Sequence, residues 1–233
     1  MIDRSDPDFW PDLFATVLEA SGQTAYMVLV SLLLTVVLGL AIGVLLVETE
    51  RGGLLARPLR SRALGRVVNR TLQLIVNIGR SVPFIILMIL LIPVTRTIVG
   101  TGFGPTAAIV PLTVAGIPFY ARLVEIAIRE VPAGVVEAAE SLGAGRWTIL
   151  TKVLIAESLP ALTLGLSTTV VSLITYSAMV GTVGGGGLGD VAYRYGYQRY
   201  SVEYMLVVVV ILVVVVQILQ SLGNRLAGAL SHR

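Results

Sequence analysis

Residues 204–224 read YMLVVVVILVVVVQILQSLGN, a run of 21 positions without one charged side chain. A helix rises ~1.5 Å per residue, so the run is long enough to cross a hydrocarbon core of about 30 Å. Its centre, Met205 to Leu219, is almost purely aliphatic, which is how a membrane span reads. Outward from it, three more gaps between charged residues are as long: Ala20–Val47, Thr97–Ala121 and Ser158–Gly189. A fifth apolar stretch, Thr71–Thr95, is interrupted by Arg80. Of the 233 residues, 55% are apolar and 13% charged, and the mean hydropathy is +0.88. Soluble domains carry about 25% charged residues, so this composition excludes an ordinary soluble enzyme, and it is the reverse of a disordered one. The expectation is an all-α multi-pass membrane protein forming a single domain. Its five spans fall at about 22–47, 71–94, 104–125, 158–182 and 203–224, with a long loop at about 129–157.

The charges that remain are sorted by loop. Arg51, Arg57, Arg60, Arg62, Arg66 and Arg70 share one loop, Arg122, Arg129, Arg146 and Lys152 another, and Arg225 and Arg233 close the chain. Those 12 basic residues lie on one face, against Arg4, Arg96, Arg194 and Arg199 on the other, with Arg80 inside a span. Basic loops stay in the cytoplasm, so the N-terminus is expected outside and the C-terminus inside. The acidic residues divide seven and seven and do not contribute to the assignment. A pI near 9.4 therefore reports topology and not nucleic-acid binding. The start, MIDRSDPDFWPD, is acidic where a cleavable signal peptide is basic. With no Cys and one His, His232, thiolate and histidine metal sites and a histidine base are not expected.

The loop between the third and fourth spans is not linker-like. Pro132 suits a first helical turn and Gly143 a C-terminal stop. Between them Val135, Ala138, Ala139 and Leu142 recur at helical spacing, and Glu137 and Glu140 point elsewhere. The small alanines admit close approach of another protein surface. An interfacial helix would prefer Trp, Phe and Lys or Arg, and this one offers Ala and Glu.

Glu137-Ala138-Ala139, with Gly143 following after three residues, resembles the EAA loop of bacterial ABC-importer permeases. Where that pattern continues with Ile-x-Leu-Pro, this chain has Val153-Leu154-Ile155-Ala156 and a proline only at Pro160. Within that family it is most similar to the methionine-uptake permeases. The residues that carry the likeness are Arg80 to Leu87 (RSVPFIIL), Ile109 to Thr113 (IVPLT), Tyr176-Ser177-Ala178-Met179 leading into Gly184–Gly189, and Tyr195-Gly196-Tyr197. The resemblance implies a bacterial inner-membrane permease working as a homodimer. Two separate subunits would bind ATP and Mg and dock on the coupling helix through Glu137, Ala138, Ala139, Glu140 and Gly143. An extracytoplasmic substrate-binding lipoprotein would deliver methionine, including the D form and derivatives, or another amino acid. It also suggests that Tyr176, Ser177 and Met179 line the translocation path.

The same residues admit other readings. Met179 also suits gap-filling packing, Tyr176 and Ser177 suit helix association, and Arg80 suits either an interfacial or interhelical partner or the pathway. Gly184 to Gly189 satisfies G-x-G-x-x-G, but it follows an apolar span and not a strand, which favours a flexible or close-packed turn over a dinucleotide site. No phosphate-binding G-x-x-x-x-G-K-[ST] occurs, so no nucleotide or other cofactor is expected in this chain. An ion-coupled carrier would keep Asp, Glu or His in its span cores, and a membrane-embedded enzyme needs a His, a Cys or a carboxylate pair there. The span cores hold none of these. Pro83, Pro111 and Pro118 are expected to kink or break their helices.

Overall fold

The computed structural model describes residues 7–50 and 62–231. Of the residues counted in the charge bias, Arg4, Arg51, Arg57, Arg60 and Arg233 lie outside the described residues, as does His232. Among the described residues there is no strand. The helices are α1 (Phe9–Glu48), α2 (Arg62–Ser81), α3 (Phe84–Val99), α4 (Pro105–Arg129), α5 (Ala133–Ser141), α6 (Arg146–Thr148), α7 (Ile155–Gly181), α8 (Gly187–Val191) and α9 (Val202–Leu230). Wider π-helical turns, Ile149–Leu154 and Ala192–Gln198, join α6 to α7 and follow α8. Among the described residues four stretches are long and apolar enough to cross a membrane: α1, α4, Arg146–Gly181 and α9. The broken pair α2 and α3 brings the number to five if it counts as one span. The molecule is an all-α multi-pass membrane protein.

Two places depart from the sequence expectation. α1 starts at Phe9, well before the span expected from about residue 22. Phe9, Leu13, Val17 and Ala20, spaced by four, four and three, form a helical stripe that is buried against Leu188, Val191, Tyr204 and Val208. Packing of that stripe recruits turns which carry Asp12 and Glu19, and a criterion built on uncharged gaps cannot register them. The stretch expected at about 71–94 is broken at Val82–Pro83, and its helices run out to Arg62 and Val99. Proline has no N–H to give to the preceding turn and drives its predecessor out of the helical region. Pro83 itself sits at ψ 133°. Pro111 and Pro118, by contrast, lie within an unbroken α4, and Pro93 and Pro160 within α3 and α7.

The chain divides into two compact units. Unit 1 comprises residues 1–34, 82–116 and 170–220, and unit 2 comprises residues 35–81, 117–169 and 221–233. The core of unit 1 gathers Met27, Val28, Phe84, Met88, Leu112, Leu173 and Ile174. The core of unit 2 gathers Tyr120, Val124, Ala127, Ile128 and Leu162, with Leu46, Val76 and Ala121 beside them. Glycine sets the spacing in unit 2. Gly39 and Gly43, four apart on α1, face α4 so closely that a Cβ on Gly43 would lie 2.6 Å from the Ala121 carbonyl oxygen. That is the small-xxx-small arrangement by which membrane helices approach backbone to backbone.

Candidate functional site

α5 begins directly after Pro132, one position later than the first-turn placement expected from sequence. It ends at Gly143, whose φ of +76° L-residues with a side chain rarely adopt. There the Gly143 N–H donates to the Glu140 carbonyl (2.9 Å) and the Ala144 N–H to the Ala139 carbonyl (3.0 Å). These paired bonds close the last carbonyls of the helix, and only a left-handed residue makes both geometries available. No residue of α5 is buried. Val135, Val136 and Ala139 are half-covered, and Glu137, Ala138 and Glu140 are exposed. Leu142 is 89% and Trp147 75% exposed. The exposed residues of α5 and of the segment that follows it thus include two carboxylates, an alanine and two large apolar side chains, a composition that fits contact with another protein.

Just upstream, α4 ends in an ionic cluster. The Glu125 carboxylate, 1% exposed, accepts hydrogen bonds from Arg122 (2.7 Å) and Arg129 (2.5 Å). Arg129 also donates to Glu50 beyond the end of α1 (2.9 Å). Asn69 of α2 donates to the Leu46 carbonyl (2.8 Å) and to the Thr49 hydroxyl (3.1 Å), fastening the same end of α1. In the sequence Arg122 and Arg129 served only as topology charges. Their spacing to Glu125, three before and four after, was the signal that they form a helical ion-pair ladder.

The other expected site residues lie apart from α5 along the chain. Tyr176 stacks on Phe84 with ring centroids 4.5 Å apart and an interplanar angle of 11°. Ser177 is buried and its hydroxyl donates to the Ile174 carbonyl (2.7 Å). Met179 is 41% exposed and Arg80 is exposed. The glycine-rich segment is a close-packed turn. The N–H of Gly187 donates to the Gln23 side-chain oxygen (2.8 Å) and that of Leu188 to the Thr24 hydroxyl (2.9 Å). A Cβ on Gly189 would lie 2.2 Å from the Ala178 carbonyl oxygen. The N–H groups that a pyrophosphate would need are therefore already engaged. Asp190, buried in α8, binds Arg194, and that hydrogen bond holds the guanidinium pKa above its ordinary value.

A small cavity in unit 1 is bordered by Met88, Ile92, Thr95, Ala108, Pro111 and Val180, among others. It presents no charged group to an amino acid's ammonium and carboxylate. Among the described residues no three His, Asp or Glu are grouped to hold a metal ion.

Residues 52–233 match the family described as binding-protein-dependent transport system inner membrane component. The chain is 52% identical over 217 residues to a probable D-methionine transport system permease protein MetI of Vibrio cholerae, covering 93% of each. It is 46% identical to the corresponding Pasteurella multocida protein, covering 96% of this chain and 99% of that one. A solved structure of the MetNI methionine ABC transporter in inward-facing conformations contains a chain 43% identical to it. That chain is covered in full and this one to 98%, with a TM-score of 0.86.

Proposed function

This chain belongs to the binding-protein-dependent transport inner-membrane family, and from that premise we propose how its parts divide the work of an ATP-driven importer. It is the membrane-spanning permease subunit of a methionine ABC importer in the bacterial inner membrane, and its role is transport. ATP and Mg are bound by a separate ATPase subunit, which docks on α5. Two copies of the chain enclose the path, each meeting one ATPase subunit, and an extracytoplasmic binding protein hands methionine, in the D as well as the L form, to the outer side. Closure of the ATPase pair on ATP draws the two α5 helices together and opens the path outward, and hydrolysis returns it inward.

The observation that carries the docking assignment is α5 itself. It is a nine-residue helix with no buried side chain, stopped by a left-handed glycine and presenting Glu137, Ala138, Glu140 and Leu142. A short helix that its own chain covers only in part, at Val135, Val136 and Ala139, is completed by what it meets outside the chain. The exposure of Met179, alone in the Tyr176–Ser177–Met179 group, supports a role for it at the path.

The experiment is uptake of labelled methionine and phosphate release measured together in vesicles holding the complete transporter. Glu137→Ala and Gly143→Val are expected to lower uptake per ATP with insertion unchanged. Space around Gly143 is open, so the Val defect comes from backbone strain of about 1–2 kcal/mol. Gly143→Asn, which tolerates the left-handed region, should restore much of the coupling. Normal coupling in both Glu137→Ala and Gly143→Val would remove α5 from the docking surface.

A further inference from the structure

The ionic cluster at the end of α4 has no part in the transport reading above, yet its central carboxylate, Glu125, is almost wholly buried. A carboxylate as buried as Glu125 is retained only when its charge is met on more than one side, and Arg122 and Arg129 do so from the preceding and following turns. Arg129 has a second partner in Glu50, so the last turn of α4 is tied to the end of α1. That end is in turn held by Asn69 from α2. Between Arg129 and α5 stand three residues, Glu130, Val131 and Pro132. The N–H of Glu130 donates to Ile126, that of Val131 to Ile128, and that of Val135 back to Pro132. These bonds close the end of α4 and open α5 without crossing between them, so the two helices are joined by a three-residue connection whose Pro132 is held at φ −60°, ψ 133°, too short and too restrained for α5 to move far from the last α4 turn.

We propose that Glu125 is a positioning residue for energy coupling: by fixing Arg129 against Glu50 it makes the ends of α1, α2 and α4 one rigid mount for α5. A push on α5 then moves the membrane helices instead of bending the α4–α5 junction. The inference rests on α5 being the docking helix. A merely structural ion pair would change the amount of assembled complex, with transport and hydrolysis falling together. A positioning pair changes the ratio between them.

The test uses the complete transporter in vesicles, with methionine uptake and phosphate release read from the same sample. Glu125→Gln keeps the shape and loses the charge. It is expected to lower uptake per ATP about fivefold or more, the smaller end of typical coupling effects, with the KM for ATP unchanged. Glu50→Gln, whose side chain is 40% exposed and whose loss does not bury a lone charge, should show a smaller drop of the same kind. Glu125→Asp should recover part of the ratio. If Glu125→Gln fails to assemble, Glu50→Gln decides alone. An unchanged ratio, or uptake and hydrolysis falling in parallel, overturns the proposal. Gly143→Val in the same vesicles separates the two ideas. If it uncouples while the glutamate variants do not, only the mount is wrong; if it too leaves the ratio unchanged, the docking role of α5 falls as well.

Discussion

At Gly43 the crossing of α1 and α4 depends on a single hydrogen atom where other residues carry a carbon. An added Cβ would meet the Ala121 carbonyl oxygen and the Val124 side chain, both at 2.6 Å, and neither can swing away as a flexible side-chain tip would. Gly43→Val is expected to cost about 1–3 kcal/mol, the usual range for overpacking, and to lower the melting temperature of the detergent-solubilised protein. Gly228→Val, on α9 with nothing within 4 Å of its would-be Cβ, is the control that should leave that temperature where it was. Met179 presents the opposite situation. Its neighbours are tied inward, Tyr176 by its stack on Phe84 and Ser177 by its bond to Ile174, and Met179 alone is open. Met179→Trp therefore adds volume without forcing the core. If Met179 lines the path, uptake slows while the amount of protein in the membrane stays normal; uptake equal to the parent would place it elsewhere.

Among the elements, α8 has only five residues, too few to hold itself by its own hydrogen bonds, and it is kept in place from α1. The Leu188 N–H is buried and its acceptor is the Thr24 hydroxyl. Thr24→Val leaves that donor unmet, a cost of about 1–3 kcal/mol. Thr24→Ser retains the acceptor, so thermal melting of the two variants should part clearly, and equal melting would mean the bond contributes nothing. The existence of α4, α7 and α9 was legible in the sequence because each is an apolar run bounded by charge. Gly143 was legible as the stop of α5 because a single residue's backbone freedom decides it. The start of α1 was not, since the Phe9–Ala20 stripe forms a helix only by packing on α8 and α9 residues nearly 170 positions away. Nor was the ladder at Glu125, where charges that obey the topology rule also obey a second, local rule. Proline was the least readable signal. Pro83 breaks its helix, while Pro111 and Pro118 lie in an unbroken one among the buried residues of α4. What separates these outcomes is whether neighbours cover the freed carbonyl, which spacing alone does not reveal.

Across the whole molecule, what the chain leaves uncovered identifies its solvent. Val209, Val210, Val213 and Val214 are exposed on one helix, and almost none of α9 is buried within the chain. A soluble monomer rarely exposes contiguous apolar patches beyond a few hundred Å², so lipid or a second copy of the chain covers this face. The remaining charges divide by unit. Of the described basic residues, Arg62, Arg66, Arg70, Arg80, Arg122, Arg129, Arg146, Lys152 and Arg225 fall in unit 2, and Arg96, Arg194 and Arg199 in unit 1. Under the positive-inside rule the loops that carry Arg66, Arg70 and Arg122 to Lys152 are expected in the cytoplasm. Parity then makes a sharp test of the broken pair. If α2 and α3 together cross once, there are five spans and the two termini lie on opposite sides; if they enter and leave on one side, there are four spans and the termini share a side. A reporter active only in the cytoplasm, fused after Arg233, is expected to be active, and the same reporter placed before Met1 to be silent. Activity at both ends would make α2–α3 a re-entrant hairpin, and activity only at the N-terminus would invert the orientation that the arginines assign.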